Sequence, residues 1–308
     1  MKNYLCVFGH TAVDVILQTD SLPEPNTSTA VKKRTVQWGG TGANIAKAAS
    51  DMNVKTSLSS FVGEDFPKNY EKSLKQSGVD LRGLNKLENG NTPTCWIVTE
   101  PDGDQMALMD QGAMENIQER EVDKKYIKNS EITHIGTGEP EYYRKVMRVA
   151  SKFGKTIAFD PAQELKYVYE PNIFKELLEM SDIFFCNENE AKLALEYLDS
   201  DNIEDFLEYV EYIIVTKGSN GSSLYYQGTT KNIPLIEAEK IIDPTGAGDC
   251  YRAGFYAGMA RDYDIYECCL IGAARASFAL ESYGPQDKII RWENVIDRLE
   301  SSGHGIIN

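Results

Sequence analysis

Short apolar, β-branched runs alternate along the chain with longer stretches whose apolar positions recur every three or four residues. The runs at 4–9, 56–63, 131–136, 156–160, 183–187 and 212–216 predict strands. The spacing within 43–52, 67–77, 142–153, 190–198, 249–261, 266–280 and 292–301 predicts helices. Strand then helix, repeated, predicts an α/β fold: a doubly wound, mostly parallel central sheet with helices on both faces. Two regions, 17–38 and 92–112, break this rhythm. The second carries Pro101-Asp102-Gly103-Asp104 between extended runs and reads as a hairpin, the first as one or two extended strands. Together they predict a small β-sheet over about 14–38 and 92–112, standing off the core either as a lid or as an edge extension. No internal repeat or low-complexity linker divides the chain, so 1–308 is expected to be a single domain carrying that insertion.

Composition narrows the chemistry. A length of 308 residues allows a substantial core, and 42% hydrophobic with 26% charged residues is ordinary for a globular protein. The net charge is -15, with acidic residues spread along the chain, so no basic face is available for nucleic acid or a membrane surface. An anionic small molecule must then be held locally, by backbone amides, a few cations and a metal. The cysteines, Cys6, Cys95, Cys186, Cys250, Cys268 and Cys269, form no Cys-x-x-Cys pair and read as reduced thiols. The apolar run at 4–8 is too short for a signal peptide and no stretch approaches membrane length, so a soluble, cytoplasmic protein is expected.

Five segments carry candidate chemistry. Ile241-Ile242-Asp243-Pro244-Thr245-Gly246-Ala247-Gly248-Asp249 runs from an apolar strand end through a small-residue turn into a helix. Unpaired amides and the positive helix end make an anion site there, and glycines let a phosphoryl group approach the backbone. Asp249 falls in the first helical turn, where the macrodipole alone favours a carboxylate; that explains the charge but not the glycines. Trp38-Gly39-Gly40-Thr41-Gly42-Ala43-Asn44 lacks the third glycine of a dinucleotide fingerprint. It is either a tight turn opening a helix or a place where Gly40 admits a ligand and Asn44 bonds a hydroxyl. Asn187-Glu188-Asn189-Glu190 matches a helix capping box, and equally a strand-end carboxylate that orients a hydrated Mg2+. Thr216-Lys217-Gly218-Ser219-Asn220-Gly221 is a glycine turn between strands, or a place for Thr216 and Gly218 against a nucleotide. Asp14, just beyond the first strand, is a turn carboxylate or the acceptor of two vicinal hydroxyls. No Gly-x-x-x-x-Gly-Lys-Ser/Thr occurs, which removes the P-loop kinases, and His10, His134 and His304 join no visible nucleophile, which leaves hydrolase chemistry unsupported.

In this order, over nearly the whole chain, these segments resemble the ribokinase-like (PfkB) family. The runs Pro23-Glu24-Pro25-Asn26-Thr27, Asp160-Pro161-Ala162-Gln163 and 243–255 look most like archaeal nucleoside kinases. The resemblance implies a small-molecule kinase using ATP and Mg2+, with Asp249 as general base and the Gly246, Ala247 and Gly248 amides as anion hole. It implies Asp14, Gly40 and Asn44 on the acceptor's hydroxyls, and Gln163 where relatives acting on phosphorylated sugars carry a cation, which suits a neutral acceptor. Asn187 and Glu190 would position Mg2+ and phosphates, with Thr216, Gly218 and Gly221 touching ATP and Asp243 near a site for a monovalent cation such as K+. Trp96, Met109 and Gln111 either contact a base or pack within the hairpin. The run 273–277 and Gly284 resemble the adenine side, although Arg275 interrupts its small residues. The acceptor is then a nucleoside phosphorylated at its 5′ hydroxyl; a neutral sugar, as for a ribokinase or fructokinase, is the alternative. A nucleotide- or nucleoside-binding sensor without turnover is a third reading, which the intact Asp249 disfavours. The family's small sheet often forms an interface, so either a monomer or a homodimer through it is expected, without nucleic-acid or membrane partners.

Overall fold

The computed structural model describes residues 2–100 and 105–306, so the turn predicted at 101–104 lies outside the described residues. In chain order the first half holds β1 (Leu5–Phe8), β2 (Ala12–Thr19), β3 (Val31–Gly39), α1 (Thr41–Asp51), β4 (Thr56–Gly63), α2 (Lys68–Gln76), β5 (Asp80–Leu87), β6 (Thr94–Thr99), β7 (Gln105–Asp110), α3 (Lys124–Lys128), β8 (Ile132–Ile135) and α4 (Pro140–Lys152). The second half holds β9 (Thr156–Phe159), α5 (Pro171–Glu179), β10 (Ile183–Asn187), α6 (Glu188–Leu198), β11 (Tyr212–Thr216), β12 (Ser222–Tyr226), β13 (Thr229–Ile233), α7 (Ala247–Met259), α8 (Ile265–Ala279) and α9 (Trp292–Ser301).

The large sheet runs β13-β12-β11-β10-β9-β8-β1-β4-β5. Its neighbours are parallel except at β12, which opposes both of its own. Every residue of β1 and β4 is buried, as expected of parallel strands covered on both faces. One apolar layer gathers α1, α2, α7, α8 and α9, the other α3 to α6. Strand order reverses beside β1, which has β4 on one side and β8 on the other, and such a switch point opens a crevice at the carboxyl ends of the strands. No described helix is long and apolar enough to cross a membrane.

The doubly wound reading holds, with elements the apolar pattern did not reveal. β5 is an edge strand of polar sequence, DLRGLNKL, and β13 is another. α5 opens on Pro171, which fits the first helical turn because its missing N–H is not needed there.

The small sheet runs β3-β2-β6-β7, with β2 and β6 parallel. Its register places Asp14, Gln37, Cys95 and Met109 in one row, and Val15, Val36, Trp96 and Leu108 in the next. Successive residues of a strand face opposite sides, so the first row faces the core and the second faces away. Trp96, a candidate to contact a base, therefore points outward, while its neighbours Cys95 and Ile97 point in.

Helices α7 and α8 approach through glycines. A Cβ on Gly254 would lie 2.7 Å from the Ile271 carbonyl oxygen and 2.8 Å from Gly272 Cα. Gly254→Val is therefore expected to cost about 1–3 kcal/mol or more by overpacking, read as a lower urea midpoint at unchanged m. Wild-type stability would contradict this packing.

Candidate active site

The carboxyl ends of β1, β8, β9, β10 and β11 deliver His10, Thr137, Asp160, Asn187 and Thr216 to one cleft of about 490 Å³. The amino termini of α1 and α7 enter it from one side, and Asp14, Cys95, Ile97 and Met109 of the small sheet roof it. A larger hollow of about 930 Å³ lies at the other end of the strands, around Asp182 and Glu211, without a glycine-rich helix start. Chemistry belongs to the smaller cleft.

Gly40 precedes α1 with φ 90°, and a Cβ there would lie 2.5 Å from the His10 carbonyl oxygen, so only glycine fits. Gly246 precedes α7 with φ 72°, and a Cβ there would overlap the Pro285 ring. The two helix starts meet where Asn44 Nδ2 donates to Asp249 Oδ2 at 2.7 Å. Asp249 keeps an opening to the cleft, yet burial pushes its carboxyl up to about 7. The Asn44 hydrogen bond opposes that rise, the Asp160 carboxylate adds to it, Arg252 opposes it and Asp14 adds to it.

Arg252 follows Asp249 by three positions on α7, which puts both on one helix face. Its Nε and Nη2 donate to the Asp160 carboxylate at 2.8 and 3.1 Å, and both residues are buried. Its Nη1 donates to the Gly248 carbonyl at 3.3 Å, so the same guanidinium braces the glycine turn. Asp14 faces the cleft from β2, pushed up to about 6 by burial and then by the Asp243 carboxylate.

Asn187 and Glu190 form the expected capping box: Asn187 Oδ1 accepts from the Glu190 amide at 2.9 Å, and Glu190 Oε2 from the Asn187 amide at 2.8 Å. Both also line the cleft, where burial, followed by the Asp160 carboxylate, raises the Glu190 carboxyl. Gln163 stands exposed at the rim, and Thr216, Gly218 and Gly248 complete the wall. Ala247, Gly221 and Asp243 do not line it. Gly221 turns with φ 75° against the Ile233 carbonyl, and Asp243 ties two loops, accepting from Thr245 N at 2.9 Å and Gly284 N at 3.0 Å.

Sequence reasoning gave no role to Arg252, Asp160, Thr41, Thr137 or Glu164. Spacing along α7 could have paired Arg252 with Asp249; its partner Asp160 comes from another strand end, and the run Asp160-Pro161-Ala162-Gln163 carried the resemblance without marking that pairing. Beneath the roof, Gln111 Nε2 donates to Glu164 Oε1 at 2.7 Å, so its oxygen accepts from His10 Nε2. His10 Nδ1 is left to accept from Thr137 at 2.8 Å, and the Thr137 oxygen in turn accepts from Thr41 at 2.7 Å. Gln111 therefore anchors the end of β7 to the core. His134, whose ring burial pushes down to about 4, bonds Tyr256 inside the core and takes no part.

The sequence pattern of the pfkB family of carbohydrate kinases matches residues 2–292. A nucleoside kinase of Methanocaldococcus jannaschii is 39% identical over 97% of both chains, and its solved structure superposes with TM-score 0.90 over 97% of this chain and 99% of that one. A nucleoside kinase of Methanothermobacter thermautotrophicus is 36% identical over 92% of each chain. A Burkholderia thailandensis nucleoside kinase solved with inosine shares the fold at TM-score 0.85 and 22% identity, covering 96% of this chain and 98% of that one. With this match spanning nearly all of its length, the chain belongs to the pfkB family of carbohydrate kinases, phosphotransferases that act on hydroxyl acceptors.

Proposed function

We propose that this kinase transfers the γ-phosphoryl group of ATP to the 5′ hydroxyl of a nucleoside. The observation that carries the reading is the Asn44 contact holding Asp249 at the mouth of a glycine turn, one carboxylate oxygen bonded and the other open. Two relatives above 30% identity named as nucleoside kinases support the choice of acceptor. The neutral Gln163 at the rim suits an acceptor without a phosphate.

In this reading the 5′ hydroxyl donates to Asp249 Oδ1. Its oxygen forms the new bond to the γ-phosphorus as the bond to the ADP oxygen breaks, and the proton passes to Asp249. The Gly246 and Gly248 amides, at the positive end of α7, stabilise charge on the phosphoryl oxygens, while the Ala247 amide, which donates to the Pro244 carbonyl at 3.2 Å, holds the turn that presents them. Asp14 accepts from the vicinal ribose hydroxyls, with the Gly40 backbone and Asn44 beside it. Thr216, Gly218 and Gly221 lie along the nucleotide path. Mg2+ dehydrates reluctantly and is ordinarily kept by substrate phosphates, water and one or two carboxylates. Glu190 would hold such a hydrated Mg2+ beside Asn187, and the ion supplies charge neutralisation on the phosphates. Asp243 would adjoin a K+ ion at the loops it ties. The small sheet serves as the lid, and its outward row, with Val36, Trp96 and Leu108 exposed, is the face of a homodimer.

Transfer from labelled ATP across a panel of nucleosides and free sugars tests the acceptor: a nucleoside 5′-monophosphate is expected, and transfer to sugars alone would overturn the reading. Asp249→Asn should lower kcat by about 10²–10⁴-fold with nucleotide binding retained. Because the base must be deprotonated and its carboxyl is raised to about 7, kcat/KM for the acceptor should climb about tenfold per pH unit below 7 and level off above it. Loss of Asp14's charge should steepen the fall below about 6, and a flat profile from 5 to 8 would contradict both assignments. Leu108→Lys should convert a dimer to a monomer in light scattering; an unchanged assembly would remove the interface from this face.

A further inference from the structure

Loop 284–286, which follows α8 and begins at the Gly284 that resembles the family's adenine side, touches three parts of the site. The Gly284 amide donates to Asp243 at 3.0 Å, the Pro285 ring occupies the space beside Gly246, and the Gln286 side chain reaches α1. Gln286 Nε2 donates to Asn44 Oδ1 at 2.7 Å and to the Tyr70 hydroxyl at 2.8 Å. Tyr70 in turn donates to the Gly39 carbonyl at 2.7 Å, and its ring is clamped between Trp38, stacked at 5.0 Å, and Phe66 at 5.2 Å.

The directions of these bonds form a chain of constraint. A carbonyl oxygen only accepts, so Gly39 fixes the Tyr70 hydroxyl as donor and leaves its oxygen to accept. Gln286 must therefore present its NH2, and one N–H goes to Tyr70 while the other goes to Asn44 Oδ1. With its oxygen so engaged, Asn44 can only offer its own NH2 to Asp249. A flipped Gln286 would set its oxygen against two acceptors. The observed orientation leaves Gln286 Oε1 buried without a partner, a cost the fold accepts to keep the other two bonds.

We infer that Gln286 is a positioning residue of the reaction: by locking the Asn44 amide it commits Asp249 Oδ2 to Asn44 and leaves Oδ1 to the acceptor hydroxyl. Nothing in the sequence around Gln286 announces this, because its partners come from α1 and α2, more than 200 positions away in the chain. The inference rests on the nucleoside kinase reading for its reaction, while the hydrogen-bond chain stands without it.

Its test separates the two. Asp249 also faces Asp160 at the end of β9, Asp14 on β2, Arg252 on its own helix and the neutral Tyr70 of α2, while Lys47 on α1 is paired with Asp51 at 2.8 Å. Of these, changing Gln286 touches only Tyr70, which loses its bond to Nε2 and stays neutral. Gln286→Leu frees the Asn44 amide, and Gln286→Glu, of equal size, offers only acceptors when ionised and turns Asn44 Oδ1 toward Asp249. Carboxyl NMR titration of the full chain should show Asp249 rising by about one unit or more in both, further for Gln286→Glu. In the kinase assay, kcat at pH 7 should fall about fivefold or more with KM for ATP unchanged and should recover at higher pH. Tyr70→Phe, a milder change, should move the titration in the same direction. In an Asn44→Ala background Gln286→Leu should have no further effect. Wild-type titration in both Gln286 variants, or an undiminished effect without Asn44, would overturn the inference. If the wild type transfers no phosphoryl group, the functional reading fails, and the titration still decides the role of Gln286.

Discussion

The hydrogen bond between Asn44 and Asp249 joins residues 205 positions apart and brings two helix amino termini to one point at the carboxyl edge of the sheet. Both helices must start there for the site to exist, and each start needs a glycine in left-handed backbone: Gly40 wedged against His10, Gly246 against Pro285. α7 packs closely on α8 through Gly254 and Gly272, so the start of α7 is set from behind as well. Once these helices are placed, the strand ends bring Asp160, Asn187, Glu190 and Thr216 to the same cleft.

Such convergence gathers carboxylates. Asp14, Asp160, Glu164, Glu190 and Asp249 share one cleft with Arg252, and Asp160 takes two of that cation's donors. Burial and mutual repulsion raise Asp249 and Asp14, to about 7 and about 6. Folded protein then binds these protons more tightly than unfolded chain, so their contribution to stability is greatest at low pH. It declines from the unfolded carboxyl range near 4 up to about 7 and is constant above that. The same raised values place a base near neutral pH, where it has both the right charge and a driving force for proton uptake.

Much of this was legible in the chain. Buried parallel strands are short runs of apolar, β-branched and small residues, so β1, β4, β8, β10 and β11 announced themselves, as did the glycine turns opening α1 and α7. The polar edge strands β5 and β13 did not, because a strand with one neighbour need not be apolar. Side-chain direction in the small sheet depended on register: β6 and β7 pair so that Cys95 meets Met109 while Trp96 meets Leu108 on the far face. Gln286 and Tyr70 were silent for a different reason, and Asp160, though part of a run that carries the resemblance, gave no sign of its pairing with Arg252. Each acts by reaching a residue brought near only by the finished fold, and no spacing along the chain encodes that.

The central claim is a geometric one: the acceptor's 5′ oxygen belongs at Asp249 and its vicinal hydroxyls at Asp14. A crystal structure of the enzyme with ADP and a nucleoside tests it most directly. The account predicts the 5′ oxygen within about 2.6–3.2 Å of Asp249 Oδ1, in line with the glycine turn, and the ribose diol on Asp14. A nucleoside bound in the reverse sense, diol at Asp249 and 5′ oxygen beneath the small sheet, would contradict it.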